Sequence, residues 1–128
     1  MIERDYIMRL IREFMAALQR LLEKKEVTTR REEIKMLYDK FVGPYNFYLT
    51  ASIEDVMKAM HGIEEDQRIY KMEMLAQLYY TEAGLYSKPI ADPLLEKAYS
   101  LYDYIEQNSQ TFSFDRRQKM QEIEKRIK

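Results

Sequence analysis

His61 is the only histidine in the chain, and Glu64 follows three residues later. On a helix that spacing puts both side chains on one face, as a metal pair requires. Carboxylate di-metal bundles take two Glu-x-x-His pairs and further glutamates, which one histidine cannot supply. His61 also adjoins Gly62, where a helix is expected to stop in a left-handed turn. The expectation is a solvated helix-end histidine and no metal site. Glu64-Glu65-Asp66 is an acidic run suited to the positive end of a helix dipole, without the glycine and alternating oxygens of a calcium loop. The chain has no cysteine, which excludes a disulfide framework, a thiolate zinc site and a cysteine nucleophile. A catalytic triad would need His61 as its base, and no Gly-x-Ser-x-Gly elbow occurs. Neither phosphate-binding glycine motif is present. Tyrosines and carboxylates alone can run acid/base chemistry, as in glycosidases, but such a pair is recognised only by geometry. No catalytic residue, cofactor or metal ligand is therefore assigned, and the protein is not expected to be an enzyme.

Eleven tyrosines against no tryptophan are the most unusual feature. Tyr79, Tyr80, Tyr86, Tyr99, Tyr102 and Tyr104 fall close together in sequence. Tyr79 and Tyr102 are expected in the core, with hydroxyls reaching the surface. Tyr99 and Tyr104 lie five residues apart and cannot share one narrow helical stripe, so at least one belongs outside the core. Exposed aromatics anchor interfaces, and a groove for a peptide or protein lined by Tyr80, Tyr86, Tyr99 and Tyr104 is the expected partner site.

The charges balance to −1 overall but not locally. Residues 1–31 and residues 112–128 each carry net +3, and residues 32–111 carry −7. Opposite fields favour packing of the ends on the middle; alternatively, one basic end recruits an acidic partner. Arg116, Arg117, Lys119, Lys125, Arg126 and Lys128 are interleaved with three acids. That is a modest footprint for binding phosphates and reads as a solvated face, so nucleic acid is not the expected partner.

The elements that position these groups are helical. With only three glycines and three prolines, a turn-rich β architecture is excluded, and no segment alternates with period two. The first helix is expected from about Asp5 to Lys25, with Lys24 and Lys25 in its last turn. Ile7, Leu10, Ile11, Phe14, Leu18 and Leu21 form its main stripe, and Met8, Met15 and Leu22 a heptad-spaced line beside it. A face that wide exceeds what one neighbour covers. Either the helix is central, or Met8, Met15 and Leu22 form the seam of a homodimer. Thr29 and Glu32 fit a capping box for a helix from Arg30 to Phe41, ended by Gly43-Pro44. Tyr45 to Thr50 reads as a packed connection. Ser52 caps a short helix from Ile53 to Met60, and a long helix runs from Glu64 to Ala83. Asp92 caps the next, with Pro93 in its first turn and its end near Glu106. Phe112-Ser113-Phe114 reads as an anchored start, Ser113 being the cap, and Met120, Ile123 and Ile127 give the last helix a thin stripe. A thin stripe marks a peripheral helix that frays at its end.

Asp5-Tyr6-Ile7-Met8-Arg9-Leu10-Ile11-Arg12, the stretches Phe41-Val42-Gly43, Phe47-Tyr48-Leu49 and Ser52-Ile53-Glu54-Asp55, and Thr111-Phe112-Ser113-Phe114-Asp115-Arg116 resemble a family of small uncharacterised bacterial helical proteins, a domain of unknown function. The resemblance spans most of the chain and implies a compact, tetratricopeptide-like helical protein with no assigned activity. Separately, Leu75, Ala76 and Tyr79 resemble the first helix of a tetratricopeptide repeat, and Ala98 and Tyr102 the second. There a small residue admits the neighbouring helix and an aromatic fills the gap beside it. Extra residues between the two halves, across Tyr86 to Asp92, depart from the repeat pattern.

The expectation is an all-α, compact array of about six helices in one domain over residues 1–128. It comprises N-terminal helices (1–62), a tetratricopeptide-like pair (63–108) and a C-terminal helix (112–128). At 15.6 kDa such a chain should bury about two thirds of its unfolded surface, enough for one core. Its longest apolar run is Phe14 to Leu18, far too short to span a membrane, and its start lacks the pattern of a signal peptide. A cytoplasmic interaction or adaptor module is expected.

Overall fold

The computed structural model describes residues 2–127, with side chains from Asp5 onward. Among the described residues seven helices follow one another: α1 (Ile2–Leu22), α2 (Val27–Phe41), α3 (Tyr45–Thr50), α4 (Ile53–His61), α5 (Glu65–Ala83), α6 (Ala91–Asn108) and α7 (Phe114–Arg126). No strand occurs among the described residues. The all-α expectation holds, and the count rises from six to seven because Tyr45–Thr50 is a helix, not a connection.

The central element is α5, which packs against α1, α2, α4 and α6. Met72, Met74, Leu75, Ala76, Leu78, Tyr79, Glu82 and Ala83 are all buried. Side chains buried around more than half of its circumference mark a helix with several neighbours. Its most extensive packing is on α6, where Leu75, Ala76, Tyr79, Ala98 and Tyr102 are all buried. By contrast, α1 lies at the edge, on α2 and α5. It buries Ile7, Phe14, Leu18 and Leu21, with Phe14 edge-on to Phe41 at 5.3 Å. Its second line stays in solvent: Met8 is 38% exposed, Met15 47% and Leu22 48%. The wide apolar face of α1 is therefore not explained by a central position.

Helix boundaries depart from the sequence reading where tertiary groups replace local signals. α2 begins one turn early, at Val27, so the capping box of Thr29 and Glu32 does not form. Instead the Thr29 hydroxyl donates to Glu26 at 3.4 Å. α1 stops at Leu22, leaving Lys24 and Lys25 beyond its end. There the Arg30 guanidinium donates to the carbonyls of Leu22 and Lys24. Gly62 has φ −77°, not a left-handed value. The end of α4 is closed by Arg68, which donates to the carbonyls of Met60, His61 and Ile63. Lys71 donates to Phe41 at the end of α2. Lys97 donates to Tyr48 and Leu49 at the end of α3. Gly43 serves a close approach: a β-carbon there would stand 3.0 Å from the Tyr48 ring.

At the other ends, Ser52 and Ser113 cap α4 and α7 as expected, accepting from Asp55 and Arg116 at 3.1 Å. Asp92 does not cap α6, which starts at Ala91; Asp92 lies in the first turn and pairs with Lys88 at 3.7 Å. Pro93 is tolerated there because the first N–H groups of a helix lack partners anyway. α6 continues past Glu106 to Asn108. Phe112 and Phe114 are 66% and 72% exposed, so they do not anchor α7. Arg116 does. It is 2% exposed, donating to Glu73 of α5 at 2.5 Å, to Glu106 of α6 at 2.8 Å and to the Thr111 carbonyl at 2.8 Å. It shares the thin stripe of Met120, Ile123 and Ile127, of which Ile123 is buried.

The hydrogen bond from Arg116 holds the Glu106 carboxyl below its ordinary range. Unfolded, Glu106 takes up its proton at a higher pH than when folded. The stability tied to this pair is therefore whole above the unfolded glutamate range, about 4.3, and is lost as pH falls through the lower folded value. Arg116→Met is expected to cost about 2–4 kcal/mol at neutral pH and to flatten the acid limb of stability, both measured by urea unfolding across pH.

Candidate functional site

The four candidate tyrosines do not converge on one groove. All are partly buried, and three hydroxyls are engaged. Tyr80 donates to Glu122 and Tyr99 to Glu124 at 2.5 Å, so both fasten α7 to the α5–α6 pair. Burial, then the bond to Glu122, pushes the Tyr80 phenol up to about 12. Tyr104 bonds His61 Nε2 at 3.2 Å. Tyr86 lies apart, in the turn after α5, with Arg31 over its ring at 4.8 Å. Tyr79 and Tyr102 are core as expected, but their hydroxyls do not reach solvent. Tyr79 donates to the Tyr48 carbonyl at 2.6 Å, and the buried Tyr102 hydroxyl has no partner among the described residues.

His61 is exposed in the last turn of α4. Its Nδ1 lies 2.8 Å from the Met57 carbonyl. A carbonyl only accepts, so Nδ1 carries the proton and Nε2 accepts from Tyr104. Both ring nitrogens are thus engaged, and Glu64 is not among their partners. No group of three or more acidic or histidine side chains is placed to hold a metal among the described residues.

The two candidate sets instead meet at one place. Leu22 of α1 and Tyr80 of α5 line a single cleft of about 330 Å³ between α1, α5 and α7. Leu18 and Gln77 contribute to its walls, and Arg30, Lys119 and Arg126 line it as well. Lys119 stands 5.5 Å over the Tyr80 ring and pairs with Asp115. Arg126 forms no ion pair among the described residues. Met15 lies on the same flank of α1, its sulfur beside Gln77 at 3.9 Å. The other flank of α1 faces α2 across a second cleft of about 360 Å³, lined by Ala17, Arg20, Leu21, Met36, Lys40 and Phe41 among others.

Sequence reasoning missed two buried charges. Arg116 is one, and Glu82 is the other, at 1% exposure. Glu82 Oε1 accepts from Tyr38 at 2.9 Å, and Oε2 accepts from Tyr45. Burial and the carboxylate together raise both phenols above their ordinary range. The signal was the register. Glu82 stands three residues after Tyr79 on the α5 stripe, and Arg116 four before Met120 on the α7 stripe. A charge in a core register needs a partner. The partners of Glu82 are phenols, so the two-carboxylate geometry of glycoside hydrolysis is not assembled around it.

No protein-family model matches the chain, and no match was found among curated proteins or solved structures.

Tyr38→Phe leaves one buried carboxylate oxygen of Glu82 unpaired and is expected to cost about 1–3 kcal/mol. Tyr38→Phe combined with Glu82→Leu is expected to cost less than the sum of the two single changes, because the pair shares one bond. Denaturant midpoints of the four proteins measure this; strict additivity would show that the bond contributes nothing.

Proposed function

We propose that this protein is an interaction module that binds an acidic amphipathic helix along α1. The observation that carries the reading is the exposed row Met8, Met15 and Leu22 leading into the cleft that Leu22 shares with Tyr80, Lys119 and Arg126. At 1.5 Å per residue the row runs about 21 Å, the length of four turns of a partner helix. Apolar anchors at heptad spacing suit the apolar stripe of such a partner, and methionines adapt to its side chains. The sign of the partner follows from charge: the segments that supply α1 and α7 are each net +3. The α5–α6 pair, similar to a tetratricopeptide pair in its small and aromatic positions, serves as the scaffold behind this surface. Of the aromatic set only Tyr80 contributes to it; Tyr86, Tyr99 and Tyr104 act elsewhere.

The experiment uses a fluorescein-labelled synthetic peptide of Leu/Glu heptads. Binding at low salt is expected to weaken about tenfold or more with Lys119→Glu plus Arg126→Glu, and to weaken further as salt screens the rim. Unchanged affinity in the double variant would sink the reading.

The same row favours a second reading, a homodimer seam between two α1 helices. It predicts that light scattering gives twice the chain mass for the native protein and the single mass for Met15→Glu. A native monomer ends that reading and leaves the first intact.

A further inference from the structure

A third cleft lies between α3, the turn after α5 and the start of α6. It measures about 360 Å³, within the range of small-molecule sites. Tyr45 and Tyr86 supply aromatic walls, Leu94 the buried floor, and Leu49 and Ile90 the mouth, where Ile90 is 62% exposed. Lys97 is the cation that lines it. Its ammonium has three N–H donors. Two go to the carbonyls of Tyr48 at 3.3 Å and Leu49 at 3.1 Å; the ammonium also stands 5.5 Å over the buried Tyr79 ring, and its third N–H has no hydrogen-bond acceptor among the described residues. Lys97 forms no ion pair with a carboxylate among the described residues. Behind the wall, Tyr45 is held by its hydrogen bond to the buried Glu82. Tyr45 therefore presents its ring and a phenol oxygen whose proton is already given. At the outer edge, Arg31 stacks on Tyr86.

We propose that this cleft binds an amphipathic monocarboxylate, its anion on Lys97 and its apolar or aromatic body between Tyr45, Tyr86, Leu94 and Ile90. An ammonium with a spare donor in an apolar setting matches a single anionic oxygen pair. A dianion such as phosphate is disfavoured, because Glu82 lies close behind and the surrounding segment carries net −7. A neutral amide can accept the third N–H of Lys97 through its carbonyl but brings no charge, so the charge on the acceptor is what discriminates an acid from its amide. The site is independent of the proposed helix-binding surface, since neither uses a residue of the other.

The test compares hydrocinnamate with its neutral isostere hydrocinnamide by NMR titration of the intact chain. The native protein is expected to show saturable shifts at Leu49, Ile90, Leu94 and Lys97, with the acid binding about tenfold tighter than the amide. Lys97→Met is expected to abolish that preference. Because Lys97 also closes α3, a second variant is needed that leaves the fold alone. Ile90→Glu sets a negative charge at the exposed mouth and is expected to weaken the acid about tenfold while sparing the amide. Equal affinity of acid and amide for the native protein, absence of shifts at these residues, or unchanged acid binding in folded Lys97→Met or in Ile90→Glu each overturns the proposal.

Discussion

The structure depends on how helix C-termini are closed in a chain with three glycines, none of them in a left-handed conformation. The last four carbonyls of every helix lack an intrahelical partner. The usual solution is a left-handed glycine that folds the chain back onto them. Here the first four helices end on cations brought in from elsewhere: Arg30 on α1, Lys71 on α2, Lys97 on α3 and Arg68 on α4. Each cation meets the negative end of a helix dipole, so one side chain provides hydrogen bonds and charge complementarity together. Burial holds the Lys71 and Lys97 amines below the usual lysine range.

This choice has a packing consequence. A glycine turn closes a helix locally, whereas a distant lysine closes it only if two elements are docked. Lys71 ties α5 to α2, and Lys97 ties α6 to α3. The buried pairs act likewise: Glu82 joins α5 to α2 and α3, and Arg116 joins α7 to α5 and α6. Replacing such charges with apolar groups is often neutral for stability, but breaking one partner is not. They therefore set the register between helices more than they deepen the core.

What was legible in the sequence follows the same division. The stripes of α1, α2 and α5 placed Phe14, Ile34, Tyr38, Leu75 and Tyr79 in the core, because helical periodicity is a local signal. Ser52 and Ser113 were legible as caps because both bonding groups lie within three residues. The misplaced ends share one cause. Thr29, Gly62 and Asp92 all carry the right residue type, yet the deciding group at each neighbouring end was a tertiary contact or an earlier start. Tyr45–Thr50 is too short to announce a helix by period, and it is held by Tyr79 and Lys97, more than thirty residues away. At the candidate site, a face too wide for one neighbour left two alternatives, a central α1 or an uncovered row at Met8, Met15 and Leu22, and only tertiary packing decided for the exposed row. The engagement of Tyr80, Tyr99 and Tyr104 was not, since their partners sit on other helices.

The origin of the closing cations also orders events in time. In all four cases the side chain comes from later in the chain than the helix it completes. For α1 and α4 the wait is a few residues, but Phe41 is separated from Lys71 by 30 residues and Leu49 from Lys97 by 48. A ribosome delivers the chain from its N-terminus at about 5–20 residues per second. During synthesis, then, α2 and α3 emerge with open ends and remain so for seconds, until α5 and α6 follow. The first half of this protein cannot finish folding on the ribosome by itself; it is completed by the second half, which carries the missing pieces of its helices.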